Sequence, residues 1–213
     1  NADLIAALEP DLAGRHAKAL FFKEEAHLDP RQALAALANR LGPAIRWGVE
    51  ADPRDATGVD LLLDCRGYAA APDLKDLRAV RGEMLVLRQP EISLSRPIRL
   101  LHPRFPVYVV PRGNGNFMIG ATMVESDSRA GVTARSALEL LSAVWTLTPA
   151  FGEAEIIEMG ANLRPAFPDN LPAFRRDGDV WRVNGLYRHG FLLSPAVAKR
   201  AVEAALQRET LCA

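Results

Sequence analysis

Apolar residues recur with a helical period in the first part of the chain and in short strand-like runs soon after. In the first segment they recur every three or four positions, Pro30 follows Asp29, and Gly42 stands where the pattern ends. This pattern predicts a helix that Asp29 caps and that has Pro30 in its first turn. Residues 44–49 and 59–64 are short apolar runs. We expect strands there, the second buried on both faces as in a parallel sheet.

The middle of the chain has the pattern of an antiparallel sheet. Residues 82–87 and 97–101 are strand-like, and residues 107–110 and 116–120 flank a segment rich in turn residues. That segment, residues 111–115, contains one Pro, one Asn and two Gly residues, which is typical of the connection in a β-hairpin. We therefore predict an antiparallel sheet in this region.

The last third of the chain adds helices and further strands, so the predicted fold class is α+β. Thr133 is expected to cap a helix that stops before Pro149, and residues 155–160 and 180–183 are predicted strands. The apolar face of that helix is expected to consist of Leu138, Leu141, Val144 and Trp145. The Ser-Pro pair at 194–195 is expected to open the final helix. Its buried side is expected to hold Ala198, Ala201, Val202, Ala205 and Leu206.

Charge and composition narrow the classes of function. The 213 residues include 26 basic and 26 acidic side chains, and the resulting formal net charge of zero argues against binding to nucleic acid. Hydrophobic residues make up 49% of the chain, and no stretch approaches the roughly 18 uninterrupted apolar residues of a membrane span. The first residues carry no secretory signal, so we expect a cytoplasmic protein that does not enter a membrane.

The two cysteines and four histidines show no metal-ligand spacing, so no metal site is predicted. Cys65 ends the apolar run 61–63, where a buried structural thiol is the ordinary interpretation. The low cysteine content fits a reducing compartment. The common catalytic loops are also absent: there is no Walker loop and no G-x-S-x-G, and Met118 stands where a dinucleotide-binding loop beginning at Gly113 needs its third glycine.

Three segments combine glycine, arginine and aromatic residues without a regular period, namely 63–68, 162–172 and 184–195. In the first, Gly67 follows a predicted strand and would let a ligand approach the backbone; a simple strand-ending turn is the alternative. In the third, a strand leads through glycines into a helix. The N-terminal N–H groups of that helix suit an electron-rich ligand edge.

Two side chains are candidates for binding a ligand directly. Prolines stiffen the predicted loop 162–172 around Arg164, whose planar guanidinium suits bidentate binding of a carboxylate or phosphate. The alternative is an ion pair between Arg164 and Asp169 within the same loop. Tyr108 lies in a valine-rich strand, where it either belongs to the core or supplies a hydroxyl to a ligand.

In their order along the chain these segments resemble the D-amino-acid-oxidase family of flavoenzymes, most closely the glycine oxidases of thiamine biosynthesis. The resemblance rests on V-Y-V-V-P-R at 107–112, I-G-A-T-M at 119–123, L-R-P followed by P-D-N-L-P within 163–172, and N-G-L-Y-R-H-G-F-L-L-S-P at 184–195. It covers nearly the whole chain. It implies FAD as the cofactor and a small amino acid as the substrate. The implied reaction is oxidation at Cα to an imine, with dioxygen reoxidising the flavin to give hydrogen peroxide.

The resemblance also implies roles for individual residues. Arg164 would pair with the substrate carboxylate, and Tyr108 would donate a hydrogen bond to the same group. Arg188 would offer its backbone carbonyl to the amine, and Met123 would line the pocket. No side chain is needed as acid or base, because hydride transfer from a neutral amine depends on positioning. The residues implied to contact FAD are Val49, Cys65, Arg66, Gly67, Gly185, Tyr187, His189, Gly190, Phe191 and Leu192.

The chain departs from the family in two respects. Arg66 and His189 replace the small or amide residues that are more usual there, so the substrate could differ from glycine. Family members also begin with a strand, glycine loop and helix that clamp the FAD diphosphate, and this sequence contains none. It resembles the C-terminal two-thirds of such an enzyme. The 213 residues alone are therefore expected to be a fragment that binds FAD weakly or not at all and is inactive.

The implied domain organisation has three segments. Residues 1–76 would be the remaining part of an FAD-binding domain, residues 77–178 an antiparallel-sheet substrate domain, and residues 179–213 a return to the FAD-binding domain. The alternatives to a glycine oxidase are a sarcosine-type secondary-amine oxidase and a non-catalytic domain that needs a separate dinucleotide-binding half. The sequence leaves open whether the protein forms a homo-oligomer.

Overall fold

The computed structural model describes residues 1–101 and 106–211, with side chains described up to residue 206. The four α-helices in this part of the chain are α1 (Ala2–Leu8), α2 (Pro30–Leu41), α3 (Ala134–Leu147) and α4 (Gly190–Leu211). The strands are β1 (Leu62–Asp64), β2 (Arg78–Arg88), β3 (Ile98–Leu100), β4 (Val107–Pro111), β5 (Asn116–Gly120), β6 (Val124–Glu125), β7 (Glu155–Ala166), β8 (Ala173–Asp177) and β9 (Val180–Asn184). This mixture of helices and a largely antiparallel set of strands confirms the α+β class.

The chain divides into two compact units. The first, the sheet unit, consists of Asn1–Asp29, Arg81–Val124 and Ser128–Asn162. The second, the strand-end unit, consists of Pro30–Val80, Glu125–Asp127 and Leu163–Ala213.

The sheet unit is built on a sheet in the order β3-β4-β5-β2-β6, with β7 also pairing with β2. Strands β3, β4, β5 and β2 pair antiparallel with their neighbours in this series. The predicted hairpin is confirmed: β4 and β5 pair antiparallel around the turn at 112–115, with Val109 opposite Ile119. Helix α3 and the sheet share one apolar core, because residues from both are buried in the same cluster. Its most deeply buried side chains are Leu85, Leu87, Val109, Ile119, Leu140 and Val144.

Helix α3 buries a different face from the one expected. Thr133 caps it as predicted, since its side chain accepts a hydrogen bond from the backbone N–H of Ser136. Leu138, however, is 66% exposed, and Trp145 is also exposed. Apolar residues occur around most of this helix, so their period alone did not single out the face that meets the sheet. The buried residues of the helix are Ser136, Leu140, Ala143, Val144 and Leu147.

The strand-end unit contains a three-stranded sheet in the order β1-β9-β8. Strands β1 and β9 are parallel, and Asp64 lies opposite Arg182. Strand β8, which the sequence analysis did not predict, forms an antiparallel hairpin with β9. A second apolar cluster includes Ala70, Leu74, Leu77 and Phe167.

Several predicted boundaries in this unit are wrong. Residues 44–49 form no strand: a 3-10 helix at Gly42–Ala44 is followed by irregular backbone, so this run has no pairing partner among the described residues. The second predicted run shortens to Leu62–Asp64, and Leu62 and Leu63 are half-buried rather than buried because β1 lies at the edge of its sheet. Helix α2, by contrast, begins at Pro30 and ends before Gly42 as predicted.

Two further differences concern the predicted ligand segments. Strand β7 continues to Ala166, so Arg164 lies on a strand and not in an extended loop. A strand tolerates proline where its neighbour does not need the missing N–H, which explains why Pro165 does not end it. Helix α4 begins at Gly190 and contains Pro195, so it does not open at 194–195. On its expected buried side Ala201 and Ala205 are buried, whereas Ala198, Val202 and Leu206 are exposed.

Candidate functional site

Strands β1 and β9 end at the same edge of their sheet because they are parallel. The backbone leaves β1 through Cys65 and Gly67 and leaves β9 through Gly185. In open α/β sheets this edge, beyond the carboxyl ends of the strands, is where ligands bind. The sequence segments 63–68 and 184–195 therefore meet in the fold.

Asn184 joins the two strand ends. Its Nδ2 donates a hydrogen bond to the carbonyl oxygen of Gly67 at 2.8 Å, and its Oδ1 accepts one from the backbone N–H of Gly185 at 2.8 Å. The residue is only 2% exposed, so its amide cannot form hydrogen bonds with water. These two bonds to the backbone satisfy it instead. Sequence reasoning did not assign a role to Asn184. The available signal was an asparagine directly before glycine at a strand end.

Both glycines at this edge have conformations that other residues rarely adopt. Gly67 has a φ of 60° and Gly185 a φ of 80°. At Gly185 there is also no room for a side chain: a Cβ would lie 2.3 Å from Cδ2 of Phe167. Gly185 is therefore buried against the Phe167 ring, whereas Gly67 is half-buried.

A pocket of about 260 Å³ lies at this edge, between the strand ends and the first turns of α4. Its walls are mainly apolar, and most of its lining residues were not predicted as site residues. The full lining is Leu63, Cys65, Gly67, Pro165, Val183, Asn184, Gly185, Leu186, Ser194, Val197, Ala198, Ala201 and Val202. The volume lies just below the roughly 300–1,000 Å³ of pockets that enclose a drug-sized ligand. The pocket alone therefore takes only part of a dinucleotide.

The pocket brings together three of the residues expected to contact FAD, namely Cys65, Gly67 and Gly185. Cys65 is exposed, so the interpretation of a buried structural thiol is wrong. Partial desolvation, and then the nearby Asp64 carboxylate, raise the pKa of the thiol above its ordinary value. The thiol is therefore protonated at neutral pH, which argues against a role for Cys65 as a nucleophile.

Arg66 does not line this pocket, because carboxylates on its own unit bind its guanidinium. Asp64 accepts hydrogen bonds from Nε and Nη2 of Arg66, each at 2.9 Å, and Asp73 accepts one from Nη2 at 2.7 Å. Asp64 also accepts from Nη1 of the buried Arg182 at 2.7 Å. The contact of Arg66 with FAD stays a prediction.

Asp64 is the centre of this ion-pair cluster. Burial acts to raise the pKa of its carboxyl, but the hydrogen bonds from Arg66 and the charges of Arg66 and Arg182 outweigh burial and hold that pKa below its ordinary value. Arg182 is buried as well, and Asp177 binds its other edge through Nε and Nη2. The cluster fixes the final residue of β1 against β9 directly before the turn through Cys65 and Gly67.

The segment between Gly185 and α4 forms a 3-10 helix at Tyr187–His189. Tyr187 has a φ of 45°, and the guanidinium carbon of Arg78 lies 5.8 Å from the centre of its ring. Arg188 and His189 are exposed.

At the start of α4, apolar side chains point into solvent. Phe191 is exposed and Leu192 is 78% exposed, an unusual position for such residues unless a ligand or another protein surface covers them. Val49, a further predicted cofactor contact, lies in irregular backbone and is exposed. Gly190 begins the helix. Val49, Tyr187, His189, Gly190, Phe191 and Leu192 do not line the 260 Å³ pocket.

The predicted substrate residues lie in both units. Arg164 is half-buried near the end of β7, and Oδ1 of Asp169 accepts a hydrogen bond from the backbone N–H of Leu171 at 2.9 Å. In the sheet unit, half-buried Tyr108 lies on β4 opposite Gly120. A Cβ at Gly120 would lie 2.7 Å from the hydroxyl oxygen of Tyr108, so this glycine makes room for the ring.

Met123 follows β5 in the same unit and is exposed. Its role as a pocket residue stays a prediction.

In the described part of the chain, no helix has the length and apolar character needed to cross a membrane. The described residues also contain no group of three or more His, Cys, Asp or Glu side chains able to hold a metal ion.

A glycine-lined edge beyond the carboxyl ends of parallel strands is the kind of place where α/β proteins bind nucleotide cofactors. The chain belongs to the FAD-dependent oxidoreductase family, whose model (DAO) matches residues 1–204. The family resemblance is thereby confirmed, and FAD is the cofactor of the family.

Two relatives within this family are similar to the chain over most of its length. The chain is 57% identical over 195 residues to a protein of Rhizobium etli named thiamine biosynthesis oxidoreductase ThiO. The aligned region covers 91% of this chain and 60% of that protein. It is 26% identical over 224 residues to a glycine oxidase of Bacillus licheniformis, covering 93% of this chain and 60% of that protein. The chain thus spans about 60% of the length of both relatives.

A solved structure supports the fold. The crystal structure of a glycine oxidase from Geobacillus kaustophilus matches with a TM-score of 0.60 and 24% identity, covering 70% of this chain and 42% of that one. At this identity the similarity is evidence for the fold alone.

The strand-end pocket fits part of an FAD molecule. The left-handed turns at Gly67 and Gly185 bring the backbone of both strand ends to the pocket wall, and neither residue has a side chain that could project into the pocket. The pocket wall is mainly apolar and is closed on one side by α4, which suits an aromatic ring system. Cys65, Gly67, Gly185 and the pocket-lining residues of α4 between Ser194 and Val202 would therefore hold this part of the cofactor.

Proposed function

We propose that this chain is part of a flavoenzyme that oxidises glycine or a similar small amino acid, and that the product serves synthesis of the thiamine thiazole. The observation that carries the proposal is the glycine-lined strand edge with its apolar pocket, in a chain whose 57%-identical relative is named as a thiamine biosynthesis oxidoreductase. The strand-end unit would hold the cofactor, and the sheet unit would serve the substrate side.

FAD, when bound, would supply a two-electron acceptor that dioxygen can reoxidise. In the balanced reaction, the amine and dioxygen give the imine and hydrogen peroxide. The substrate loses a hydride from Cα and a proton from nitrogen, and its C–N single bond becomes a C=N double bond. The imine is then hydrolysed or used directly.

In this proposal the protein positions the substrate and leaves the electron chemistry to the cofactor. Arg164 would bind the substrate carboxylate, because a guanidinium at the end of a strand holds a carboxylate in both distance and rotation. The backbone carbonyl of Arg188 would accept a hydrogen bond from the amine, which would fix the direction of the amine nitrogen while the neutral form loses hydride from Cα. Holding Cα in one orientation would supply most of the rate enhancement.

Tyr108 and Met123 are proposed for the substrate side of the sheet unit. The Tyr108 hydroxyl would donate a hydrogen bond to the substrate carboxylate. Met123, with its flexible thioether, would line the substrate pocket. This is a different place from the 260 Å³ pocket proposed for the cofactor. Dioxygen would be the second substrate.

A peroxide-coupled assay tests the proposed function. The enzyme containing these residues, purified with FAD, is assayed with glycine, sarcosine and D-alanine at equal concentrations. We expect glycine to have the highest kcat/KM, with peroxide formed in equal amount to the substrate consumed. Higher kcat/KM for sarcosine would replace the proposal with a secondary-amine oxidase. Absence of peroxide with all three amines, in a protein that retains FAD, would reject amine oxidation.

A further inference from the structure

Arg78 contacts three separate segments of the strand-end unit. Its Nη1 donates to Glu125 at 2.5 Å (Oε1) and 2.6 Å (Oε2), and its Nη2 donates to Oδ1 of Asn170. Its guanidinium carbon also lies 5.8 Å from the centre of the Tyr187 ring, within the range of a cation–π interaction. Arg78 belongs to none of the three segments that combine glycine, arginine and aromatic residues.

Two of the three contacted residues have unfavourable backbone conformations. Asn170 has a φ of 60° and Tyr187 a φ of 45°. Asparagine adopts this left-handed region comparatively often, but tyrosine does so rarely, and such a conformation persists only where the surroundings hold it. The Tyr187 ring under the Arg78 guanidinium is one such restraint.

Two of the contacted residues, Asn170 and Tyr187, belong to the segments that contain the proposed substrate-binding groups of Arg164 and Arg188. Asn170 lies in the segment that begins at Arg164, and Tyr187 directly precedes Arg188. A second contact joins the same segments, because the ring of Phe167 packs against the backbone of Gly185. The β8–β9 ladder also joins them, because Ala173 pairs with Asn184. Arg78 adds a polar contact further along the second segment, at Tyr187.

We propose that Arg78 is a positioning residue that fixes the spacing between Arg164 and the backbone of Arg188, and so sets the affinity for the substrate. The proposal rests on the proposed function of those two residues. The β8–β9 pairing and Phe167 hold the second segment at Asn184 and Gly185, whereas Arg78 reaches Tyr187, next to Arg188. With the Arg78 contacts in place, the spacing of the groups that bind the carboxylate and the amine is determined before the substrate arrives.

Arginine suits this role better than lysine. Its planar group presents several N–H donors in fixed directions and a flat face, so it can bind Glu125 and Asn170 while stacking on Tyr187. A lysine ammonium at this position keeps the positive charge but cannot make all three contacts in the same geometry. This difference gives the experiment a conservative variant.

The first experiment compares kcat and KM for glycine in the FAD-loaded enzyme. We expect Arg78→Ala to raise KM about tenfold with a smaller change in kcat, and Arg78→Lys to give an intermediate value. Tyr187→Leu removes the stacking partner and should reproduce part of the effect. Glu125→Gln should leave KM within about twofold, because that ion pair is mostly exposed and the other two Arg78 contacts remain. Arg54→Ala is the matched control, since Arg54 is an exposed arginine of the same unit paired with Asp52.

The second experiment needs no activity. Arg188 is exposed and lies in the segment held by Arg78, so trypsin cleavage after Arg188 reports how often that segment opens. We expect cleavage at this bond, followed by mass spectrometry, to be about tenfold faster in Arg78→Ala than in the wild type and unchanged in Arg54→Ala. A melting temperature for each variant separates local opening from general unfolding. If Arg78→Ala does not fold, Arg78→Lys and Tyr187→Leu replace it in both measurements.

The two experiments separate this inference from the proposed function. An Arg78→Ala enzyme with KM within twofold of the wild type, or with unchanged cleavage after Arg188, would overturn the positioning role. If the wild-type enzyme oxidises none of the three amines, the proposed function fails. In that case, faster cleavage in Arg78→Ala would still establish that Arg78 holds the segment. Unchanged cleavage would reject the positioning role of Arg78 together with the proposed function.

Discussion

The amide of Asn184 spans the ends of two parallel strands, donating to the carbonyl of Gly67 while accepting from the N–H of Gly185, each at 2.8 Å. Both glycines line the pocket proposed for FAD, so one buried side chain determines how far apart the two backbone walls lie. This relationship gives a direct test of the site that does not require knowledge of the substrate.

Replacing Asn184 by Leu removes both hydrogen bonds while keeping a side chain of similar size. We expect a loss of about 1–3 kcal/mol in the free energy of unfolding, because a buried carbonyl and a buried N–H lose their partner. FAD affinity should fall as well, measured by titration of flavin fluorescence. Asn39→Leu is the control, since Asn39 lies on the exposed surface of α2 and its replacement should change neither quantity.

Gly185→Ala should be strongly destabilising. Its backbone has a φ of 80°, and the added methyl group would meet the Phe167 ring, so we expect a loss of about 3 kcal/mol or more in urea denaturation. Gly178→Ala is the matched control, because Gly178 has a φ of 60° but no atom near the position of a Cβ. It should cost only about 1 kcal/mol from the backbone alone. Equal losses at the two positions would contradict the close contact with Phe167.

The Asp64 carboxylate predicts a specific dependence of stability on pH. Its pKa in the folded protein is lowered, so its contribution is complete above its ordinary pKa of about 3.9 and is lost as the pH falls through the lower folded value. Asp64→Asn should cost about 2–4 kcal/mol at pH 7, because buried Arg182 loses one of its partners.

Denaturation in urea at several pH values between 7 and 3 checks this prediction. The difference in stability between wild type and Asp64→Asn should shrink below about pH 4. Asp52→Asn serves as the comparison. The Arg54 side chain, through its hydrogen bond, also lowers the pKa of Asp52. This pair is exposed to solvent, so it should contribute little to the free energy of unfolding. A pH-independent difference for Asp64 would show that its carboxylate is not preferentially charged in the folded state.

Arg164→Ala tests the proposed carboxylate contact. We expect kcat/KM for glycine to fall about a hundredfold or more, mainly through KM, because a bidentate charged contact is lost; Arg164→Lys should restore part of it. For amine substrates that have no carboxylate, kcat/KM should be the same in Arg164→Ala as in the wild type. Arg176→Ala, an exposed arginine on β8, provides the control. An unchanged kcat/KM in Arg164→Ala would remove this residue from the substrate site.

Local signals in the sequence were sufficient wherever neighbouring residues decide the structure. The turn residues between Val110 and Asn116 predicted the β4–β5 hairpin, and Pro30 and Gly42 predicted both ends of α2. Thr133 predicted the start of α3 for the same reason, because a cap acts within one helical turn. The ordered motifs also identified the family and its cofactor.

Long-range contacts account for the errors. Leu138 and Leu140 are equally apolar, and only the position of the sheet selects Leu140 for the core. Residues 44–49 look like a strand, but an extended segment becomes a strand only when another one pairs with it. Pro195 looked like a helix start, yet α4 extends five residues further toward the N-terminus.

The sequence by itself determined the class, the family and the order of the segments that carry the candidate chemistry, because these depend on residue types and their spacing. Only the tertiary structure decided that Gly67 and Gly185 share one pocket, that Asn184 sets their separation, and that Arg66 binds carboxylates of its own unit. Each of these facts depends on residues that lie far apart in the chain. Burial, register and ion pairing arise only when such residues meet, and no local pattern records that meeting.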